Sequence, residues 1–210
     1  MGGGINALDS AIKNGISANL AGGTHHAHYD YGSGYCIFND IAIAANYCKN
    51  KYEEYQNILV LDLDVHQGDG SATMLKDVES VFTFSIHCGG NFPLKKQKSD
   101  LDVELEKGTG DEKYIEILQE NLNELKSIQF DIVFFQAGVD SLKFDSLGHL
   151  ELTQDGMKKR NEIVLDFCAA QNLPLLIFMG GGYSNPIDHT VEAFHNLFVQ
   201  CTKIIGTIKS

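Results

Sequence analysis

Positive charge is scarce in this sequence: 16 Lys and Arg stand against 28 Asp and Glu, a formal net charge of −12. A field of that sign repels polyanions, so direct binding of nucleic acid is not expected, and a basic ligand is favoured over an acidic one. Most of this charge serves solubility. No two cysteines fall in a C-x-x-C spacing, and the five present (Cys36, Cys48, Cys88, Cys168 and Cys201) are an odd number. That pattern speaks against a disulfide framework and suits a reducing compartment, so an intracellular, cytoplasmic protein is expected, with a nuclear one not excluded. No apolar run approaches the roughly 18 residues that span a bilayer. The N-terminus lacks the basic-then-apolar order of a secretory signal, and Met1-Gly2 fails as a myristoylation site because Asn6 stands where Ser or Thr is needed. Internal repeats and low-complexity tracts are missing too.

What is there is ordinary globular usage, with 43% hydrophobic and 21% charged residues. Residues 1–210 are expected to form a single domain with a sizeable core. Short apolar runs bounded by turn residues recur at 58–63, 81–86, 132–136 and 173–179, with a weaker one at 17–21. Each reads as a buried strand. Segments of helical spacing lie between them, and this alternation predicts an α/β fold with a mostly parallel sheet covered by helices on both faces. The clearest helix follows Thr109-Gly110-Asp111-Glu112, a capping-box spacing, with Tyr114, Ile117, Leu118, Leu122 and Leu125 along one face. Others are predicted from Asn39 to about Tyr52, from Thr153 to about Ala170 and from Asp188 to about Ile205, each opening at a residue able to cap. The polar segment 95–110 is long for a connection and reads either as a loop at the site rim or as a solvated excursion.

In open parallel sheets, ligands gather beyond the carboxyl ends of the strands. All five exits here carry chemistry: His25-His26 after the first run, Asp62-Leu63-Asp64-Val65-His66-Gln67-Gly68-Asp69 after the second, then His87, Asp140 and Tyr183. Asp62, Asp64 and His66 are two apart, so an extended backbone would send them to one side, where two could reach one metal. A catalytic Zn2+ takes three protein ligands, and Asp140 is the best candidate for the third. His25 and His26 could act as bases, with Asp62 and Asp69 available to orient them. The Tyr183 hydroxyl, carried on a glycine turn, could donate to a developing oxyanion. Each feature alone has a plainer explanation as an ion pair, a helix cap or a packed aromatic ring. Their coincidence at successive strand ends is what argues for a site.

Taken together, Gly22-Gly23-Thr24-His25-His26-Ala27, Gly34-Tyr35-Cys36-Ile37-Phe38-Asn39-Asp40, Asp62 to Gly70, Gly138-Val139-Asp140 and Gly180-Gly181-Gly182-Tyr183 occur in an order that resembles the histone deacetylase family, within the arginase/deacetylase three-layer fold. Gln67, where many members carry a second His, together with Leu147 and Gly108-Thr109-Gly110-Asp111, is similar to the class IV branch and to bacterial relatives. The resemblance implies that Asp64, His66 and Asp140 bind Zn2+. It also implies that His26, oriented by Asp69, moves the protons, that His25, paired with Asp62, supplies positive charge, and that Tyr183 polarises an amide carbonyl. Gly34, Tyr35, Phe92 and Leu147 match positions lining the family's acyl-lysine tunnel. Asp62, Asp64, His66, Ser85 and Ile86 match positions that hold a structural K+.

The implied reaction is hydrolysis of an N-acyl-lysine in a peptide or protein, or of a small acyl amine such as an acetylated polyamine. The rival reading is a catalytically impaired module that binds metal or acyl-lysine. A binuclear manganese ureohydrolase would want further Asp and His ligands on these loops, and the expected pattern is not found. Family domains usually begin well before the position matching Met1, so the domain is expected to be N-terminally truncated, with an exposed sheet edge that could favour an oligomer.

Overall fold

A computed structural model of the chain describes residues 1–206 and residue 208. Six parallel strands form one sheet in the order β1-β6-β5-β2-β3-β4, where β1 is Ile16–Asn19, β2 Ile58–Asp62, β3 Val81–Cys88, β4 Leu101–Leu105, β5 Ile132–Gln136 and β6 Leu175–Phe178. The helices between them are α1 (Gly2–Asn14), α2 (Asp40–Lys51), α3 (Asp69–Leu75), α4 (Asp111–Leu125), α5 (Gln154–Gln171) and α6 (Asp188–Ile204).

Alternation along the central strands sorts the core into two halves, because successive side chains point to opposite faces. Leu59, Leu61, Phe84, Val133, Phe135 and Ile177 meet α4, α5 and α6 on one face, through Leu118, Val164, Phe194 and Leu197 among others. Ile58, Val60, Ile132, Phe134, Leu176 and Phe178 meet α1 and α2 on the other, against Leu8, Ile41, Ala44 and Ala45. The result is the expected α/β arrangement with helices on both sides. Every residue of β2, β5 and β6 is buried, which is why these strands read as unbroken apolar runs.

Register brings the strand ends to one level. Asp62 pairs with Ser85 on one side and with Gln136 on the other, Gln136 with Phe178, and Phe178 with Asn19. The loops that leave this row therefore start from a common edge.

Several elements differ from the sequence expectation, among them the short helix α3, which was not predicted. Residues 95–110 are not simply a loop, because Leu101–Leu105 adds β4 to the edge of the sheet beside β3. Asp102 and Glu104 on this strand mask its pattern, and charge is a common guard on an exposed edge. The helix α1 was not anticipated, since Gly2, Gly3 and Gly4 are poor helix formers. It is held by packing of Gly4, Ala7, Leu8 and Ala11, spaced as one helical stripe. The capping box at α4 does not form: Gly110 is the N-cap, and the Thr109 hydroxyl donates to Glu106 O instead. Asp111 accepts from the Thr153 N–H at 2.8 Å and its hydroxyl at 2.6 Å, which ties the start of α4 to that of α5. The expected caps Asn39 and Thr153 do form, accepting from Ala42 N and Gly156 N. Asp188 instead lies in the first turn of α6, where Ile187 is the N-cap and no side chain caps the helix.

All five cysteines are free. Among the described residues, no helix is long and apolar enough to cross a membrane.

Candidate active site

The loop after β1 is fastened to the start of α2. Asp40 accepts hydrogen bonds from Gly23 N, Thr24 N and the Thr24 hydroxyl. The Asn39 amide donates to His25 O and Ala27 O. Two successive imidazoles, with ring centroids 4.1 Å apart, are thereby held against the ends of β2 and β5.

The chain after β2 is not extended. The strand ends at Asp62, and Asp64 to His66 run through a bend, with His66 N donating to Asp64 Oδ1 at 3.0 Å. Alternation in a strand is therefore not what brings Asp64 and His66 together. The turn closed by the Asp64 carboxylate does so, and Asp62 is left to face His25.

His66 Nδ1 lies 3.1 Å from Asp64 Oδ1 and 3.0 Å from Asp140 Oδ2. One ligand atom from each of Asp64, His66 and Asp140 falls within 4.8 Å of the others. Ligand atoms about 2.0–2.1 Å from a tetrahedral Zn2+ would sit roughly 3.3 Å from one another, so the donor set fits such an ion in chemistry and in spacing. The second oxygens are occupied by backbone donors, Val65 N on Asp140 Oδ1 and Gly181 N on Asp64 Oδ2, which fixes the carboxylate planes. A side chain at Gly138 would overlap the Asp64 carboxylate, and one at Gly181 would press on Asp140.

The electrostatics also fit a cation. Burial, and then the charge of Asp64, push the pKa of Asp140 up to about 7. His66 resists burial and rises to about 10, because hydrogen bonds and charge from Asp140 and Asp64 favour its protonated form. Two carboxylates crowded on one imidazole call for positive charge between them, and a divalent ion can replace the proton.

The two neighbouring histidines are driven apart. His25 Nδ1 is 2.7 Å from Asp62 Oδ2, and its Nε2 is 3.9 Å from Asp64 Oδ1. Burial opposes charge on this ring, but the two carboxylates outweigh it and raise its pKa to about 9. His26 Nδ1 is 2.7 Å from Asp69 Oδ1. Burial, followed by the charge on His25, lowers its pKa to about 4 despite the bond to Asp69. These surroundings favour a proton on the first ring and a neutral second ring near neutral pH. His28 Nε2 reaches the other oxygen of Asp69 at 3.2 Å, a third imidazole on this network.

Tyr183 follows Gly180–Gly182 and is 40% exposed. Burial of its phenol, and then the charges of Asp140 and Asp64, raise its pKa to about 12, so the hydroxyl stays a donor. Gly34, Tyr35, Phe92 and Leu147 line the same cleft, of about 530 Å³, as do His25, His26, Asp64, His66, Asp140 and Tyr183. Phe92 stands edge-on to the His26 ring at 5.0 Å. Gly34 has φ 49°, and a side chain there would collide with that ring, so the wall needs glycine. Ser85 and Ile86 sit on β3, with the Ser85 hydroxyl 2.9 Å from His87 Nδ1.

Asn91, Arg160 and Asp145 escaped the sequence reading, as did the contact made by Gln67. Asn91 is buried, donates to Leu147 O at 2.7 Å, accepts from His149 N at 3.0 Å and lies 3.3 Å from His66 Nε2. Arg160 is fully buried on α5 and donates to Leu63 O, Ala137 O and Gly138 O, stiffening the strand exits that carry Asp64 and Asp140. Gln67 donates to Gln97 O and Asp102, latching the loop that carries Asp64 and His66 to β4. Asp145 accepts from Leu147, Gly148 and Tyr183. The partners of Arg160 and Asn91 are mostly backbone groups far away in sequence, and Asp145 ties two near neighbours to the distant Tyr183 N–H, so the long-range contacts leave no local pattern to read.

Residues 1–198 match the histone deacetylase domain family. A protein of Picosynechococcus whose function is uncharacterized is 46% identical over 198 residues, covering 94% of this chain and 65% of that protein. Histone deacetylase 2 of Arabidopsis thaliana is 32% identical over 87% of this chain and 48% of its own length. For human histone deacetylase 1 the figures are 34%, 80% and 36%. The chain thus spans less than two thirds of the length of each of these relatives.

Proposed function

Because the chain belongs to the histone deacetylase family, we propose that it is a zinc-dependent deacylase that hydrolyses the amide of an N-acyl-lysine or a related acyl amine. The observation that carries this reading is the meeting, in one cleft, of the Asp64–His66–Asp140 donor set with His26, whose Nδ1 is held by Asp69. Asp64, His66 and Asp140 would hold the ion. A bound Zn2+ supplies Lewis acidity toward the amide carbonyl and lowers the pKa of water.

The residues of the chain do the rest. His26 Nε2 accepts a proton from the attacking water and returns it to the leaving amine, while Asp69 on Nδ1 keeps the ring in place and favours its protonated form. His25, charged through Asp62, presents a fixed positive edge to the reacting centre. The Tyr183 phenol donates to the carbonyl oxygen as negative charge develops there. Gly34, Tyr35, Phe92 and Leu147 guide the aliphatic stem of the substrate between flat walls. A net negative chain suits a basic peptide or amine. The class IV likeness at Gln67 is consistent with its latch on β4, and the potassium ion implied by the resemblance enters none of these steps.

Purified protein is expected to contain about one zinc per chain and to hydrolyse acyl-lysine peptides, with loss of turnover on addition of a hydroxamate chelator. A panel of acyl chain lengths run beside zinc analysis checks this. Folded, zinc-loaded protein inactive across the panel would replace this reading with a binding module.

A further inference from the structure

The Tyr183 ring is 40% exposed and follows three glycines, the first with φ 76°. Such a segment has little stiffness of its own. What holds it is a carboxylate across the cleft mouth. Asp145 Oδ2 accepts from Tyr183 N at 2.6 Å, while its Oδ1 accepts from Leu147 N at 2.8 Å and Gly148 N at 2.9 Å. The 2.6 Å contact is short for an N–H donor. Backbone bonds reinforce the joint: Ser146 N donates to Tyr183 O at 3.1 Å, Asn185 N to Phe144 O at 3.0 Å, and Asp145 bridges Ser184.

We propose that Asp145 is the positioning residue for Tyr183, binding the phenol-bearing turn and the Leu147 wall into one rigid unit over the Asp64–His66–Asp140 cluster. Its action is indirect, since the carboxylate is spent on three backbone N–H groups and Tyr183 is the group that meets substrate. The kinetic consequence rests on the deacylase reading, whereas the structural one does not. Asparagine tests the idea selectively. Its Oδ1 can still accept from Leu147 and Gly148, but its amide is a donor and faces the Tyr183 N–H without a bond.

The experiment compares wild type, Asp145→Asn, Tyr183→Phe and the double variant on an acyl-lysine peptide, with amide hydrogen exchange at Tyr183 followed by NMR. In Asp145→Asn, zinc content and melting temperature are expected to stay near wild type. There kcat is expected to fall by roughly 10- to 10²-fold with KM little changed, the scale of a misplaced catalytic group. In the Tyr183→Phe background the same change is expected to cost less than about twofold, because the two residues act as one unit. Exchange at the Tyr183 amide is expected to speed up by at least about tenfold. Equal losses in both backgrounds, or unchanged exchange, overturn the proposal. Wild type inactive on every acyl peptide would remove the deacylase reading, while the exchange measurement would still decide the pin. Asp145→Ser enters the same cycle should the asparagine variant fail to fold.

Discussion

Replacing Asp140 by alanine is expected to abolish zinc binding and acyl-lysine hydrolysis together, while leaving the metal-free protein folded. The two halves of this expectation have different causes. Asp140 offers one of the three atoms, with those of Asp64 and His66, that could hold an ion, and a site left with two ligands would hold zinc far more weakly. Zinc content should drop from about one per chain to a trace, and turnover should fall to background. Folding is a separate matter. In the absence of an ion, Asp140 is a buried carboxylate crowded by Asp64, so removing it relieves like-charge repulsion. It also strands the Val65 N–H, which costs about 1–3 kcal/mol, and takes away one of the two carboxylates bonded to His66 Nδ1. These effects oppose each other, and the melting temperature in chelator should move little. Added zinc should raise the melting temperature of wild type, since a ligand that binds only the folded state stabilises it, and should not raise that of the variant. Zinc retained at a full equivalent in the variant would mean that another residue is the third ligand.

Tyr183→Phe is expected to give the opposite dissection: normal zinc content, nearly normal KM, and kcat lowered by about 10²- to 10³-fold, the range for losing one oxyanion donor. The phenol lies in the cleft with the ligand cluster but contributes no atom to it. Its pKa, raised to about 12, keeps the proton on the oxygen across the working range, so the loss should not vary with pH near neutrality. Steady-state kinetics with zinc analysis on the same preparation check both parts. Unchanged turnover would remove Tyr183 from the mechanism.

How much of this was legible in the sequence depends on where each residue finds its partner. The buried strands β2, β5 and β6 announced themselves because both faces are covered, leaving only apolar side chains along the run. The edge strand β4 carries Asp102 and Glu104 and looked like a loop, and α1 was obscured by its glycines. At the site, the residues that meet in the cleft could be picked out because they sit on the strand exits themselves. The geometry was less legible: spacing by two suggested Asp62, Asp64 and His66 along one extended face, whereas a bend pairs Asp64 with His66 and turns Asp62 to His25. The opposite titration of His25 and His26 could not be read either, since it depends on which carboxylate approaches each ring and from which side. Arg160 and Asn91 stayed hidden because they serve distant backbone groups, and at Asp145 only the local bonds to Leu147 and Gly148 lie within reach of a sequence pattern, not the distant one to Tyr183.

Diffraction from zinc-loaded crystals, recorded above and below the zinc absorption edge, tests the metal centre most directly. A single anomalous peak is expected, bonded at about 2.0–2.1 Å to carboxylate oxygens of Asp64 and Asp140 and to His66 Nδ1. A peak on any other set of side chains, or no peak in protein that still hydrolyses the peptide, would contradict the assignment.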